Sequence, residues 1–325
     1  MAPKVFIDGE AGTTGLQIRQ RLAGRTDLKI ISIDSTRRKD LEARRGMINR
    51  ADLVILCLPD GAAREAVGLV ENKAVRMIDA STAHRTLSDW TYGFPEMTTS
   101  QRDVIANARF VANPGCYPTG FIALVRPVVE ANLVPRSWPV SVNAMSGYTG
   151  GGRRMIAEFE DEDSNEFTRV PFRIYDLSCR HKHMLEMKAH AGLDHLPLFA
   201  PSVGRYAQGM IVEVPLPLHS LPSKPRLGDL HAALAGAYDG ERFIEVATPD
   251  EASSVQTLAP ESLNGTNKMK LYVFGSETLG QARLVTVLDN LGKGASGAAV
   301  QNLNLMLGFA EKTGLDRSFE WNTAL

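Results

Sequence analysis

Lys4-Val5-Phe6-Ile7-Asp8-Gly9-Glu10-Ala11-Gly12-Thr13-Thr14-Gly15 decides the fold of this chain. A short apolar run of strand character enters a glycine turn, and an amphipathic helix from about Leu16 to Ala23 follows with Arg and Gln on its outer face. Strand, glycine turn and helix in that order bring main-chain N–H groups to a helix N-terminus, where a pyrophosphate binds. The spacing is G-x-x-G-x-x-G rather than the commoner G-x-G-x-x-G, so a plain strand-to-helix turn is the competing reading. Its place at the head of the sequence favours the nucleotide. Gly9, Gly12, Thr13, Thr14 and Gly15 are the candidates to hold phosphates.

A second strand, Leu28 to Ile33, ends at Asp34-Ser35-Thr36-Arg37-Arg38. An acidic residue there suits the ribose 2′-hydroxyl of NAD, whereas Arg and Ser suit the 2′-phosphate of NADP. Ser35, Arg37 and Arg38 favour NADP; Asp34 is the objection. Asp52 to Pro59 is nearly all apolar, as a parallel strand covered on both faces should be. Within it Cys57 reads as a small core residue, and Pro59 marks the strand end facing the cofactor. A helix over Ala63–Val70 and strands over Val75–Asp79 and Phe110–Ala112 complete an alternation that implies a doubly wound parallel sheet.

From about Val140 the pattern changes to longer β runs: 140–144, 209–214, 270–274 and 282–288. The alternation in the last predicts a mixed or antiparallel sheet with one polar face and helices on the other. Pro215 to Pro225 reads as a connection. A final helix over about Ala295 to Lys312 should return to the nucleotide domain.

With 325 residues the chain has room for roughly two domains. Its net charge of -1 gives no reason to expect nucleic acid or an anionic membrane surface as partner. No apolar run reaches the roughly 20 residues of a membrane span. Three scattered cysteines make no disulfide framework, and a cytoplasmic enzyme is expected.

The chemistry is concentrated in Asn113-Pro114-Gly115-Cys116-Tyr117-Pro118-Thr119, followed by the apolar segment 120–125. Cys116 stands near a helix N-terminus, where unpaired N–H groups and the helix dipole favour a thiolate. A buried structural cysteine is the alternative. Cys179, before Arg180 and His181, is the only rival nucleophile, and it lacks the turn-helix setting.

Together with Asp79-Ala80-Ser81-Thr82-Ala83-His84-Arg85 and Tyr92-Gly93-Phe94-Pro95-Glu96, that block makes the chain resemble the compact branch of the N-acetyl-γ-glutamyl-phosphate reductase family. The resemblance extends over Ser146–Arg153, His181-Lys182-His183-Met184-Leu185-Glu186 and the segment 289–302. It implies a Rossmann-type nucleotide domain, residues 1–112 with a C-terminal helix in 295–325, and an α+β catalytic and oligomerisation domain, residues 113–294. This is the architecture of aspartate-semialdehyde and glyceraldehyde-3-phosphate dehydrogenases. It also implies an NADPH-dependent reduction of an acyl phosphate to an aldehyde in arginine biosynthesis, by a homo-oligomer, dimer or tetramer.

A thiolate can expel phosphate and leave a thioester, splitting one hard step into two. Cys116 is then the nucleophile and His181 the acid/base. His183, spaced from Met187 and His190 as on a helix, begins that helix. His181, His183 and Glu186 could be read as metal ligands, but the chemistry needs no metal and none is expected. Arg85, Arg153 and Arg154 are candidates for the substrate's phosphate and carboxylate, and Asn302 for the nicotinamide amide. The competing functions are a related acyl-phosphate reductase, such as aspartate-semialdehyde dehydrogenase, and a dinucleotide-binding regulator without catalysis.

Overall fold

The computed structural model describes residues 2–316 and divides into two compact units. Of the described residues, 2–95, 99–115 and 295–316 make the first; residues 96–98 and 116–294 make the second. Of the helix assigned to 295–325, residues 317–325 lie outside the described residues.

The first unit runs β1 (Lys4–Asp8), α1 (Thr13–Leu22), β2 (Lys29–Ile31), α2 (Leu41–Arg50), β3 (Leu53–Leu56), α3 (Asp60–Gly68), β4 (Arg76–Asp79), β5 (Thr91–Tyr92), α4 (Gln101–Asn107) and β6 (Phe110–Ala112). Its six strands are all parallel, in the order β2-β1-β3-β4-β6-β5. All four residues of β3 are fully buried, as a central strand between two helical layers requires. From β1 the sheet grows one way to β2 and the other way to β3. That reversal opens a crevice at the carboxyl ends of β1 and β3, the standard ligand position of doubly wound sheets.

The second unit runs α5 (Cys116–Glu130), β7 (Ser141–Gly147), α6 (Gly152–Glu160), β8 (Phe172–Ile174), α7 (Met184–Ala191), β9 (Leu198–Gly204), β10 (Met210–Pro217), α8 (Leu227–Ala237), β11 (Ile244–Val246), α9 (Pro249–Ser254), β12 (Met269–Ser276) and β13 (Gln281–Leu288). Its seven strands form a mixed sheet, β11-β12-β13-β10-β7-β9-β8. Every residue of α5 from Tyr117 to Val125 is buried. Gly120 lets that helix close on the sheet: a β-carbon there would meet Val212 Cγ2 at 2.8 Å and Thr286 Cγ2 at 2.9 Å. Pro118 costs no helical hydrogen bond because it falls in the first turn. The chain then returns to the first unit as α10 (Gly297–Met306).

Several expectations need correction. The first helix begins at Thr13, three residues before Leu16, because Gly12 serves as its N-cap. The last helix ends at Met306 rather than Lys312, where Gly308 takes a left-handed φ of 73° and the side chain of Asn304 bonds the carbonyls of Glu311 and Thr313. Pro215 and Pro217 belong to β10, not to a connection. The second sheet face is not polar: Ile211, Tyr272, Val285 and Val287 are buried there against Ala247 and Ala252. Cys57 follows β3 instead of sitting in the core, and it lines the crevice half-buried.

Candidate active site

In the first unit a cavity of about 930 Å³ lies beyond the ends of β1, β2 and β3. Gly9 and Gly12 line its floor. Gly9 needs to be glycine twice over, because its φ is +90° and a β-carbon would strike the Cys57 carbonyl at 2.3 Å. Gly15 brings α1 down onto the turn; a β-carbon there would lie 2.4 Å from the Gly9 oxygen. Gly12 supplies no side-chain cap, so the first N–H groups of α1 face the turn unmasked. Thr13 Oγ1 is buried without a partner, and Thr14 is half-buried beside it. Unmasked amides and an orphaned hydroxyl above a glycine turn fit a pyrophosphate. The Glu10 carboxylate, which would repel one, is paired with Arg19 at 2.6 Å.

Ser35, Thr36, Arg38 and Lys39 line the far part of the cavity. Arg37 is committed to Asp40 at 2.9 Å and does not line it. Nor does Asp34, whose Oδ1 accepts from the Thr36 hydroxyl at 2.5 Å and the Thr36 N–H at 2.9 Å. Those two bonds hold its carboxyl below the usual range. Burial, reinforced by Asp79 and Asp8, pushes the Cys57 thiol up, so it stays protonated. Pro59 is the exposed N-cap of α3.

Asn302 lies fully buried on α10. Its Nδ2 donates to the Gly93 carbonyl at 2.9 Å and to Asn113 Oδ1 at 3.0 Å, while its Oδ1 is left without a partner. A fixed, unsatisfied acceptor suits the N–H groups of a carboxamide. Arg85, in the same unit, is buried and donates to the Ala80 carbonyl at 2.9 Å. His84 is a packing residue: Nδ1 is 2.6 Å from Asp79 Oδ2, and the ring stacks on Trp90 at 4.2 Å.

The second unit holds the thiol. Cys116 is the first residue of α5, half-buried, at the end of the helix where the dipole favours an anion. Around it is an aromatic cluster. The Tyr117 ring lies 5.9 Å from that of His181 and 6.0 Å from that of His183, and Tyr175 is 6.0 Å from His181. The Tyr175 hydroxyl donates to the Tyr117 hydroxyl at 3.0 Å. Burial raises both phenols, Tyr175 to about 12, and the neighbouring Cys116 adds to each. They are neutral donors at pH 7.

His183 is the N-cap of α7, and its main-chain N–H donates to Nδ1 of His181 at 3.2 Å. The accepting nitrogen cannot also carry a proton, so the neutral ring has its N–H at Nε2. Burial pushes His181 below its ordinary 6.5, with Asp176 opposing. Met187 and His190 share α7, so His183 does begin a helix. Cys179 is exposed in the loop before His181 at a left-handed φ of 53°.

The two other candidate arginines are on α6. Arg153 is exposed in its first turn; Arg154 bonds Glu166 through Nε and Nη2, both at 3.0 Å. The structure therefore brings Cys116 and His181 into one unit with Arg153 and Arg154, and the glycine turn, Ser35, Arg38, Pro59, Arg85 and Asn302 into the other. Sequence reasoning missed Lys39, Tyr117 and Tyr175. Lys39 follows Arg38 and Tyr117 follows Cys116, so both carried a signal; Tyr175 had none.

Comparison with known proteins closes the identification. Residues 4–108 match a family described as semialdehyde dehydrogenase, NAD binding domain, and residues 116–290 one described as semialdehyde dehydrogenase, dimerisation domain. Aspartate semialdehyde dehydrogenase II from Vibrio cholerae, solved in complex with ASA, superposes with a TM-score of 0.67 over 95% of this chain and 99% of its own at 13% identity. The Candida albicans enzyme, solved with NADP, gives 0.65 over 94% and 99% at 13% identity. At that identity the likeness is one of fold. Sequence is more specific. The N-acetyl-gamma-glutamyl-phosphate reductases of Brucella ovis and Brucella suis are 54% identical over 309 residues, 95% of this chain and 100% of theirs. On that footing the chain belongs to the N-acetyl-γ-glutamyl-phosphate reductase family.

Proposed function

We propose that this chain reduces N-acetyl-L-glutamyl 5-phosphate to N-acetyl-L-glutamate 5-semialdehyde, with release of phosphate, in arginine biosynthesis. The observation that carries the mechanism is the setting of Cys116: a half-buried thiol opening a buried helix, close to two phenols whose rings in turn pack near a neutral histidine. Its Sγ attacks the acyl carbon. The C–S bond forms as the C–O bond to phosphate breaks, and phosphate leaves with the electron pair. When bound, NADPH supplies the hydride that turns this thioester into a thiohemiacetal. His181 directs its Nε2–H at the carbonyl oxygen and, by donating a hydrogen bond, stabilises the negative charge that builds there in both addition steps. C–S cleavage then restores the thiolate and frees the aldehyde.

The cofactor is read as NADP. Ser35, Arg38 and Lys39 line the cavity where a 2′-phosphate would sit, and the Asp34 carboxylate is occupied by Thr36. Gly9, Gly12, Thr13, Thr14 and Gly15 take the pyrophosphate and Asn302 Oδ1 the carboxamide. Arg85, Arg153 and Arg154 are the candidates for the substrate's anionic groups, with Arg85 buried and Arg154 paired with Glu166.

We assign the chain to the cytoplasm as a homo-oligomer, dimer or tetramer. No disulfide joins its three cysteines, and no helix among the described residues is long and apolar enough to cross a membrane. The part of the second unit's outer sheet face that α9 leaves uncovered, where Met145 and Phe274 meet Val255 and Leu258 of the segment after α9 around a cavity of about 530 Å³, is the surface offered for assembly. Oxidation of N-acetylglutamate semialdehyde and of aspartate semialdehyde, each with phosphate and NADP, tests the substrate. Turnover of the second in preference to the first would move the chain to the neighbouring activity. NADP binding with no phosphate-dependent turnover of either would make it a non-catalytic regulator.

A further inference from the structure

A buried charge pair in the second unit plays no part in the chemistry above. Lys293 Nζ lies 2.7 and 2.8 Å from the two oxygens of Glu96, and both side chains are almost completely withdrawn from solvent. Burying two charges is expensive, and an apolar pair of similar volume is often equally stable or better. A pair kept under those conditions calls for a role beyond stability.

Its place in the chain supplies one. Lys293 stands between Gly292 and Gly294, at the start of a π-helical turn, Gly292–Ser296. Such turns are rare and concentrate at functional sites. A β-carbon on Gly294 would lie 2.8 Å from Cys116 Cβ and 3.2 Å from Cys116 Cα, so the turn rests directly against the nucleophile's residue. A β-carbon on Gly292 would lie 2.1 Å from the Thr266 carbonyl oxygen, so the other side of the turn is equally tight. Just upstream, Asp289 is anchored by the N–H groups of Gly265 at 2.8 Å and Leu291 at 2.9 Å, and by Gln208 at 2.5 Å. The backbone on both sides of Lys293 is thus wedged, and its side chain is tied down separately by Glu96.

We propose that Lys293 and Glu96 are positioning residues for Cys116: their ion pair holds the glycine turn against the first residue of α5 and so fixes the direction of the thiol. This rests on Cys116 being the nucleophile. The pair does not touch substrate. It removes a freedom that a half-buried thiol at a helix start would otherwise have. Misplacing a reacting group by about 1 Å can cost roughly 100-fold in rate.

The test compares K293M, K293M/E96Q and G294A with the full-length enzyme. It reads kcat, KM, thermal midpoint and the pH profile of iodoacetamide alkylation at Cys116. K293M strands a buried carboxylate and should lower both kcat and the midpoint. In K293M/E96Q no charge is left unpaired, so the midpoint should recover, while kcat stays down by roughly 10- to 100-fold with KM within about threefold, and Cys116 alkylates more slowly across the profile. Recovery of kcat together with the midpoint would overturn the proposal, leaving the pair a structural one. If the double variant does not fold, G294A decides. It keeps the ion pair but pushes the turn off Cys116, and wild-type kcat in it would equally overturn the proposal. Failure of the nucleophile assignment is seen separately, in wild-type enzyme whose turnover survives complete alkylation of Cys116.

Discussion

The main-chain N–H of His183 donates to Nδ1 of His181 at 3.2 Å, so one histidine sets the protonation state of the other through its backbone. Protonating His181 would place an N–H at Nδ1, facing another N–H. Burial already depresses the ring, so both effects oppose the imidazolium. His181 therefore works as a neutral ring at pH 7, with its proton at Nε2.

The pH dependence follows from that sign. A depressed histidine stays neutral below its ordinary 6.5 and protonates only as pH falls through the lower value. The acid limb of kcat/KM attributable to His181 should have its midpoint below 6.5, and should vanish in His181→Asn. A midpoint above 6.5 would mean that a carboxylate, not burial, controls the ring.

His181→Asn should lower kcat by roughly 100- to 10,000-fold, the usual span for losing a general acid–base group. His183→Asn keeps its main-chain N–H, and with it the bond to residue 181, so its effect should be much smaller. Steady-state kinetics of the two variants checks this, and the reverse order would exchange their roles.

Cofactor preference is read from four side chains. With Asp34 engaged by Thr36 and Arg37 by Asp40, the charge in the far part of the cavity, beside Ser35 and Thr36, comes from Arg38 and Lys39. NADPH should be strongly preferred to NADH. Replacing both Arg38 and Lys39 by Ala should raise KM for NADPH by roughly 10- to 100-fold, the worth of charge-assisted hydrogen bonds, and leave NADH nearly unaffected. An NADH preference in the wild type would show that Asp34 rotates away from Thr36 to take a ribose.

Asn302→Ala should weaken NADPH binding and also destabilise the protein. The Gly93 carbonyl and Asn113 Oδ1 would lose a buried donor, at a cost of about 1–3 kcal/mol each where no water replaces it. Isothermal titration and denaturant unfolding measure the two effects. Unchanged affinity with reduced stability would confine Asn302 to packing.

Much of the first unit was legible because glycine turns and all-apolar strands carry direct physical signals. Val5, Phe6, Ile7 and Leu53 to Leu56 could be little else than buried parallel strands. The helix over Leu41–Arg50 escaped notice because its one leading apolar residue, Leu41, is exposed along with Glu42, Gly46 and Arg50, and only Ile48 and the side chain of Arg44 are buried. Arg44 is buried by pairing with Asp8 at 3.0 Å and Glu65 at 2.8 Å, partners far away in sequence. Cys116 stood out from its turn-helix setting. Tyr175 did not, because its hydroxyl matters only through Tyr117, a residue 58 positions away. Relations of that kind are set by tertiary packing, and no local pattern announces them. The apolar outer sheet face was hidden for the same reason: alternation in 282–288 shows two faces but not that α9 and its flanks cover one of them.

The most direct measurement is intact-protein and peptide mass spectrometry of the enzyme incubated with N-acetylglutamyl phosphate in the absence of NADPH. One acyl group should accumulate on the peptide carrying Cys116, disappear on adding NADPH, and be missing in Cys116→Ser, which should still bind NADPH but not turn over. An acyl group on Cys179 or elsewhere, or turnover retained in Cys116→Ser, would contradict the account.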